Sequence, residues 1–419
     1  MNDDDKEILE NVLYCLSGLT LFRGIRQEPF VKELYDFLLF FSPRNDTEPP
    51  TAVEKAKKTS AYSQLFSMLQ AKTEDPVPNL TSFLFQMLYV DDNLLSRTAV
   101  KRGSSLNAIS PDLFSLAQKE LTELRDLFSL RSEIFTETIH EETGHTLPNW
   151  KTSQMQGSPD EELALLFSRY QKDGFGLFSL YHTFIWKNHK LEPVKKPDPI
   201  LRHQLFSYAY EIGRIEENTK KLTLGKIAEN LLLFGARGTG KSSTVKAMAN
   251  TYCQNGLRLI EIGKDDLLTI TDLLEYISEF SDTRFSFILF LDDLSFAEDD
   301  SRYTAVKTLL EGGVKTRPKN TAIYATSNRR HIVAEKKESD LYANDSRNER
   351  LSLSDRFGIA IRFAMPTQEE YLSIVRGILE DRKIPFDEDE VAKNARLWAM
   401  QENGFSPRTA RQFCDSMDS

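Results

Sequence analysis

The sequence is poor in cysteine and has no long apolar run. Its three cysteines, Cys15, Cys253 and Cys414, lie far apart among 419 residues and form no CxxC pair. This excludes a recognisable disulfide framework or zinc motif and favours free thiols in a reducing compartment. The most apolar short run, residues 37–41, is far below the ~20 residues of a membrane-spanning helix. The first residues are acidic where a secretory signal would be basic, so we predict a cytoplasmic protein with no membrane partner.

The chain also lacks an excess of basic charge. It carries 63 Asp and Glu against 53 Lys and Arg, a formal net charge of −10. This balance argues against a generic binder of polyanions and leaves room only for a local basic patch. With 40% apolar and 28% charged residues, the composition is that of a folded protein, and the length predicts two or three domains.

The hydrophobic pattern changes along the chain. Up to residue 186, apolar residues recur at helical spacing, and Ser110-Pro111-Asp112 is typical of a capped helix start with proline in the first turn. Residues 187–200 carry three prolines and resemble a linker. Beyond them, apolar runs typical of strands alternate with helical segments, which predicts an α/β domain with a parallel sheet. The predicted strands are Asn230–Phe234, Leu257–Ile262, Phe285–Leu291, Thr321–Ala325 and Ile359–Phe363.

These changes define the predicted domains. We expect an all-helical N-terminal domain over 1–186, a linker over 187–200, an α/β core over 201–365 and a small helical lid over 366–419.

A phosphate-binding loop follows the first predicted strand of the core. Residues 235–242 read GARGTGKS, which fits G-x-x-x-x-G-K-[ST]; average residue usage predicts this pattern by chance in roughly one or two of a hundred chains of this length. The preceding strand and following helix are the context that the motif requires. Lys241 would reach the β- and γ-phosphates of ATP, and the Ser242 hydroxyl would bind Mg²⁺. The predicted nucleotide-binding residues are Gly235, Ala236, Arg237, Gly238, Thr239, Gly240, Lys241, Ser242 and Ser243.

Two acidic residues end the third predicted core strand. Carboxylates at the carboxyl end of a parallel strand lie where such sheets bind ligands. Asp292 fits the residue that holds hydrated Mg²⁺, and Asp293 fits the base that orients the attacking water. The alternative is a pair of solvated loop acids. Many motor ATPases carry glutamate at the second position, and aspartate is one methylene shorter, so hydrolysis is a weaker prediction than binding.

Later motifs resemble those of the AAA+ ATPases. Asn328, after the Thr321–Ala325 strand, matches the sensor-1 position near the γ-phosphate. Arg356 matches the arginine finger, and Arg408 matches sensor 2, with Arg411 as second choice. Each also has a structural interpretation: a turn cap for Asn328, an ion pair with Asp355 for Arg356, and an exposed first-turn residue for Arg408.

More narrowly, residues from about 200 to 415 resemble a bacterial AAA+-type ATP-binding family of unknown function, and the Asp-Asp pair is similar to that of replication initiators and helicase loaders. The segments that carry this resemblance are Glu217-Asn218-Thr219, GARGTGKSSTVKA, Gly256–Glu261, Leu291–Phe296, Leu310–Gly313, Tyr324–His331, Leu351–Gly358 and Arg408–Phe413.

The resemblance implies an Mg²⁺-dependent ATPase that acts as a homo-oligomer, with Arg356 completing a neighbour's site in trans. It also implies that a protein partner binds the helical N-terminal domain. A nucleotide-gated switch with little turnover is the alternative, and a small-molecule kinase has less support, because no acceptor-binding lid signature is present.

A locally basic segment covers residues 314–331. One interpretation is a nucleic-acid contact; the other is that Arg329 and Arg330 lie by the nucleotide or pair with nearby acids while the lysines are solvated. We favour the second. The basic residues of the segment are Lys315, Arg317, Lys319, Arg329 and Arg330.

Overall fold

The computed structural model describes residues 3–41, 50–155, 157–296, 301–311, 317–328, 356–402 and 404–417. The chain divides into two compact units, Met1–Leu180 and Tyr181–Ser419. In the described residues, no helix has the length and hydropathy needed to cross a membrane.

The first unit is helical, as predicted. Its helices are α1 (Asp3–Gly18), α2 (Arg23–Gln27), α3 (Pro29–Phe41), α4 (Ala52–Thr73), α5 (Leu80–Val90), α6 (Leu94–Ala99), α7 (Pro111–Phe128), α8 (Glu133–Thr143), α9 (Pro159–Asp173) and α10 (Leu177–Leu180).

Helix starts in this unit are fixed by local side chains. The Ser110 hydroxyl accepts a hydrogen bond from the Leu113 amide, with Pro111 in the first turn of α7. Ser158 and Glu161 form a reciprocal capping box at α9, which satisfies amides that the helix itself leaves unpaired.

The helices of the first unit pack around an aromatic cluster. It contains the buried side chains of Phe37, Phe135 and Trp150, so these aromatics belong to the hydrophobic core.

The second unit contains a seven-stranded sheet. Its strands are β1 (Thr183–Lys187), β2 (Lys190–Pro193), β3 (Leu231–Gly235), β4 (Leu257–Ile262), β5 (Ser286–Leu291), β6 (Thr321–Ser327) and β7 (Ile359–Phe363). The strand order is β2-β1-β4-β5-β6-β3-β7. All neighbours are parallel except β1 and β2.

The five predicted core strands are confirmed as β3 to β7. Strand β5 is buried along its whole length, as expected where helices cover both faces of a parallel sheet. Strand β6 lies between β3, which precedes the phosphate loop, and β5, which precedes Asp292 and Asp293. Strand β7 flanks β3 on the other side. This is the arrangement of an AAA+ P-loop core, which confirms the predicted fold class.

The predicted boundary and linker need correction. The second unit starts at Tyr181, before the predicted domain end at 186. Within the predicted linker 187–200, β2 pairs antiparallel with β1, and β1 pairs with β4. Lysine and proline are typical of edge strands, because they discourage pairing with other chains. The composition that suggested a linker therefore belongs to a sheet edge.

The helices of the second unit cover the sheet and form the lid. They are α11 (Ala209–Thr223), α12 (Lys241–Tyr252), α13 (Ile270–Ser278), α14 (Ser301–Glu311), α15 (Gln368–Asp381), α16 (Glu388–Gln401) and α17 (Pro407–Met417). The last three have their own apolar core around Tyr371, Leu379 and Phe413, which confirms the small C-terminal helical lid.

A buried polar contact anchors α11 to the sheet. The Tyr324 hydroxyl on β6 lies 2.8 Å from Thr219 Oγ1 and accepts a hydrogen bond from Asn218 Nδ2 at 3.2 Å. Asn218 also bonds both the amide and the carbonyl of Glu229. Because a buried hydroxyl without a partner is costly, these contacts explain why polar side chains stand on the packed face of α11.

Candidate nucleotide site

The phosphate loop joins β3 to α12. Gly235, Gly238 and Gly240 have φ values of +139°, +78° and +86°, a region that favours glycine. Gly240 precedes the first turn of α12, and apart from its chain neighbours no atom of the described residues lies within 4 Å of where its Cβ would be. The loop therefore leaves space beside the helix N-terminus, where amide groups and the helix dipole favour an anion.

Lys241 lies inside this loop. Its ammonium donates to the carbonyls of Gly235 at 2.8 Å and Ala236 at 2.7 Å, and the residue is only 7% exposed. Burial lowers the pKa of Lys241, while Asp292 and Asp293 oppose that shift. The charge is thus directed into the loop, at the position predicted for phosphate binding.

Asp292 joins the phosphate loop to two strands. Its Oδ1 accepts hydrogen bonds from Ser242 Oγ at 2.6 Å and from Thr326 Oγ1 at 2.5 Å. Ser242 belongs to the first turn of α12, Asp292 follows β5, and Thr326 lies on β6. Three elements therefore converge on one carboxylate oxygen at the carboxyl end of the sheet.

Asp293 faces the predicted sensor. Its Oδ1 accepts a hydrogen bond from Asn328 Nδ2 at 2.6 Å, and its amide donates to Thr326 Oγ1 at 2.9 Å. The backbone of Asp293 is left-handed, with φ of +50°. Asp293 and Asn328, each predicted to act near the γ-phosphate, therefore lie in direct contact.

The lid closes the other side of a cleft of about 550 Å³. Arg408 lines it at the start of α17, and its amide donates to the Gly238 carbonyl at 3.2 Å. Arg411, the second choice for sensor 2, lines it one turn later, and Arg237 contributes from the phosphate loop. The phosphate-loop end of the cleft is therefore rich in guanidinium groups, which match phosphate oxygens.

Part of the wall of the cleft is apolar. Leu205 and Tyr208 line it from the segment before α11, and Ile374 and Ile378 line it from α15. Most drug-sized ligands bind against such apolar walls, with a few polar groups fixing their orientation. This wall suits a nucleobase.

We refer to residues 198–208 as the strap. Asn250 Nδ2 holds its start through the carbonyls of Asp198 and Ile200. Gln204 Nε2 donates to Asp381 Oδ2 on the lid at 2.9 Å, and the Tyr208 hydroxyl donates to the Ala364 carbonyl at 2.6 Å. The strap therefore connects the core with the lid along the cleft.

Arg356 does not line the cleft. It lies just before β7, at the amino end of that strand. Because β7 is parallel to β3, whose carboxyl end enters the phosphate loop, Arg356 and the cleft lie at opposite ends of the sheet.

Part of the predicted basic segment is described. The Arg317 guanidinium donates to Asn230 Oδ1 and to the Ala228 carbonyl, and burial lowers its pKa. Arg317 therefore binds the segment directly before β3 and stabilises that end of the sheet. Lys315, Arg329 and Arg330 lie outside the described residues, as does Asp355, the proposed ion-pair partner of Arg356.

Sequence reasoning missed Thr326 and the strap. A threonine inside a buried strand has no signature of its own, although its position two residues before Asn328 could have suggested a role. The predicted linker included only residues 198–200 of the strap, and the rest, placed in the predicted core, has no motif of its own.

The donors present fit a magnesium ion. Ser242 supplies a hydroxyl and Asp292 a carboxylate, both hard oxygen ligands of the kind that Mg²⁺ takes together with substrate phosphates and water. No cluster of three or more His, Cys, Asp or Glu side chains suited to a metal occurs in the described ranges. The two donors, Ser242 and Asp292, fit an ion that is completed by phosphate oxygens and water.

Residues 179–419 match the family described as "Protein of unknown function (DUF815)". This chain belongs to that family. The match spans the whole second unit, including the lid, so the family assignment covers every residue of the cleft described above.

Among solved structures, the chain is similar to the RuvB Holliday junction branch migration motor of Thermotoga maritima, at 10% identity and a TM-score of 0.32, over 51% of this chain and 73% of that one. It is also similar to a structure titled DNA replication initiation factor, at 17% identity and a TM-score of 0.35, over 53% and 65% of the two chains. The comparison with curated proteins gave no match.

Proposed function

We propose that this protein binds ATP with Mg²⁺ in the cleft and hydrolyses it. One observation carries the proposal: the phosphate loop, the two acids after β5, Asn328 and the lid arginine Arg408 all line one cleft. Four separate parts of the sequence supply these groups. Their convergence on one helix N-terminus is the arrangement that phosphoryl transfer needs.

The roles follow from position. Loop amides and Lys241 bind the phosphates, and Ser242 and Asp292 hold the magnesium, which would neutralise charge on the β- and γ-phosphates. Asp293 accepts the proton of the attacking water, and Asn328, bonded to Asp293 at 2.6 Å, orients that carboxylate. Arg408 stabilises charge on the γ-phosphate from the lid.

The position of Arg356 supports a site completed in trans. Since it lies at the sheet end opposite the cleft, it cannot serve the nucleotide of its own chain and would serve that of a neighbour. An arginine finger is worth on the order of a thousandfold or more in rate. A lone protomer should therefore bind ATP but hydrolyse it slowly, and the active form would be a homo-oligomer.

Two measurements test this function. Calorimetry should give saturable binding of ATP in the presence of Mg²⁺, and a phosphate-release assay should give a rate per protomer that rises with protein concentration. If calorimetry gives no heat with Mg-ATP, the proposal is abandoned. A rate per protomer that does not change with protein concentration would contradict an arginine finger acting in trans, but not ATP hydrolysis itself.

The purpose of turnover is proposed to be assembly or remodelling of a protein partner that binds the helical first unit. An Asp293→Asn variant should hold ATP without hydrolysing it and so retain the partner. A pull-down with this variant should enrich a protein that the matched control, Lys241→Ala, does not retain, at an ATP concentration that saturates Asp293→Asn but not the weaker-binding control. Equal recovery by both variants would exclude nucleotide-gated binding.

A switch with negligible turnover is the second candidate, and the geometry of Asp293 favours it. The side chain is short, its backbone is left-handed, and Asn328 already occupies Oδ1. ATP would then gate partner binding without being consumed. In that case Asp293→Asn would leave ATP affinity, partner binding and the low phosphate release unchanged.

A further inference from the structure

We infer that Thr326 is a positioning residue, whose hydroxyl aims Asp292 at the magnesium of the bound nucleotide and aligns Asp293 beside it. Thr326 is 2% exposed. It donates to Asp292 Oδ1 at 2.5 Å and accepts from the Asp293 amide at 2.9 Å. One hydroxyl therefore ties both acids to β6. The inference rests on the proposed ATP site.

These contacts determine which oxygen is left for a ligand. Asp292 Oδ1 accepts from Ser242, Thr326 and, at 3.1 Å, the Asp293 amide. Within the described part of the chain, Oδ2 accepts no hydrogen bond. A carboxylate held through one oxygen presents the other in a fixed direction, so Oδ2 is set to receive a magnesium-bound water.

Two further hydrogen bonds from the same segment of β6 hold the turn that carries the two acids. The Thr326 carbonyl accepts from the Leu294 amide at 2.7 Å, and Ser327 Oγ donates to the Leu294 carbonyl at 2.9 Å. The end of β6 thus holds the whole acidic turn, 292–294. Removing only the hydroxyl of Thr326 would leave both contacts in place, which separates positioning of the acids from folding of the turn.

A second threonine on β6 supplies the matched control. Thr321 is also fully buried, but its Oγ1 has no hydrogen-bond partner in the described residues. Thr321→Val and Thr326→Val remove the same atom from the same strand at its two ends. Only the second variant removes bonds to the acids.

The experiment is calorimetry of the β,γ-imido analogue of ATP, with EDTA and with Mg²⁺, on the full chain. In Thr326→Val we expect the factor by which Mg²⁺ tightens binding to fall on the order of tenfold or more, as when a group that orients a metal ligand is lost. Affinity in EDTA should be unchanged, because the phosphate loop is intact. Thr326→Ser, which keeps the hydroxyl, should restore the magnesium effect, and Thr321→Val should behave as the wild type.

Three results would overturn the inference: a wild-type magnesium effect in Thr326→Val, an equal loss in Thr321→Val, or no rescue by serine. If the wild-type chain does not bind the analogue at all, the proposed function is wrong, and this inference, which rests on it, is wrong as well. Thermal melting of each variant shows whether it is folded. If Thr326→Val is unfolded, the magnesium effect measured in Thr326→Ser still tests the inference.

Discussion

Lys241 is placed to bind a phosphate, although its burial disfavours its own charged form. Its ammonium is buried, and burial lowers its pKa, although the two neighbouring aspartates favour the charged form. Loop carbonyls accept its hydrogen bonds, but they carry no net charge. A phosphate would supply the missing anion, so binding should strengthen the charged state of this lysine.

We therefore expect Lys241→Ala to weaken ATP binding by about 10- to 100-fold, the value of one hydrogen bond to a charged group. Lys246→Ala is the control, because Lys246 stands on the same helix and does not line the cleft. Calorimetry with Mg-ATP measures both. Equal affinities of the two variants would contradict the role assigned to Lys241.

Asp91, in the first unit, is a buried acid outside the candidate site. Burial raises its pKa from the ordinary value of 3.8 to about 6, against the opposing hydrogen bond from Asn93. A group with a raised pKa in the folded state stabilises the fold fully below its unfolded pKa, and this contribution is lost as pH rises through the folded pKa. Ionisation of Asp91 should therefore cost stability between about pH 4 and 6.

Asp91→Asn should remove that cost. A difference of about two pKa units corresponds to about 3 kcal/mol, so the variant should gain up to this much over the wild type at pH 8 and much less at pH 4. Urea denaturation of both proteins at the two pH values measures the difference. A gain that is independent of pH would show that Asp91 is not the titrating group.

At the scale of elements, the junction between β3 and the phosphate loop requires glycine. Gly235 has φ of +139°, and a Cβ there would overlap the Phe363 carbonyl of the neighbouring strand β7. Backbone cannot move aside as a flexible side chain can. The loop therefore leaves the sheet at a point where two strands are packed backbone to backbone.

Gly235→Ala should destabilise the second unit by about 2–4 kcal/mol, from backbone strain and overpacking together. The control is Gly213→Ala in α11, where the described part of the chain places no atom outside the helix's own backbone within 4 Å of the added Cβ. That change should be neutral or stabilising by about 0.5–1 kcal/mol, since alanine favours helix interiors. Thermal unfolding of the two variants checks the prediction, and a similar melting temperature would contradict it.

Most elements could be predicted because their patterns are local. The buried apolar runs of β4 and β5, the capped start of α7 and the strand–loop–helix around Lys241 are each encoded within about ten residues. In the β1–β2 hairpin, β2 was missed because this edge strand is exposed and polar and shares its composition with a linker. Strand β1 was missed because its short apolar run was assigned to the helical region that precedes it. Its pairing depends on β4, which is distant in the sequence.

At the scale of the whole chain, the cleft and Arg356 lie at opposite ends of one sheet. The proposed trans finger follows from this separation. It makes a specific prediction about mixed oligomers, because each active site would then need a phosphate loop from one chain and an arginine from another.

Arg356→Ala and Lys241→Ala should each be inactive alone, while an equimolar mixture should recover part of the ATPase activity. In the mixture, an intact loop from the first variant can meet an intact arginine from the second. The phosphate-release assay measures this, with the double variant Lys241→Ala/Arg356→Ala mixed with each single variant as the control. Absence of recovery, with mixed oligomers shown to form, would exclude action in trans.

The sequence by itself determined the fold class, the phosphate loop and the identity of the two acids, because these depend on short patterns of residues that are neighbours in the chain. Only the tertiary structure decided that Ser242 and Thr326 both donate to one oxygen of Asp292, that the strap lines the cleft, and that Arg356 lies at the end of the sheet opposite the cleft. Those facts depend on distances between residues that are tens to hundreds of positions apart, and no local pattern encodes such distances.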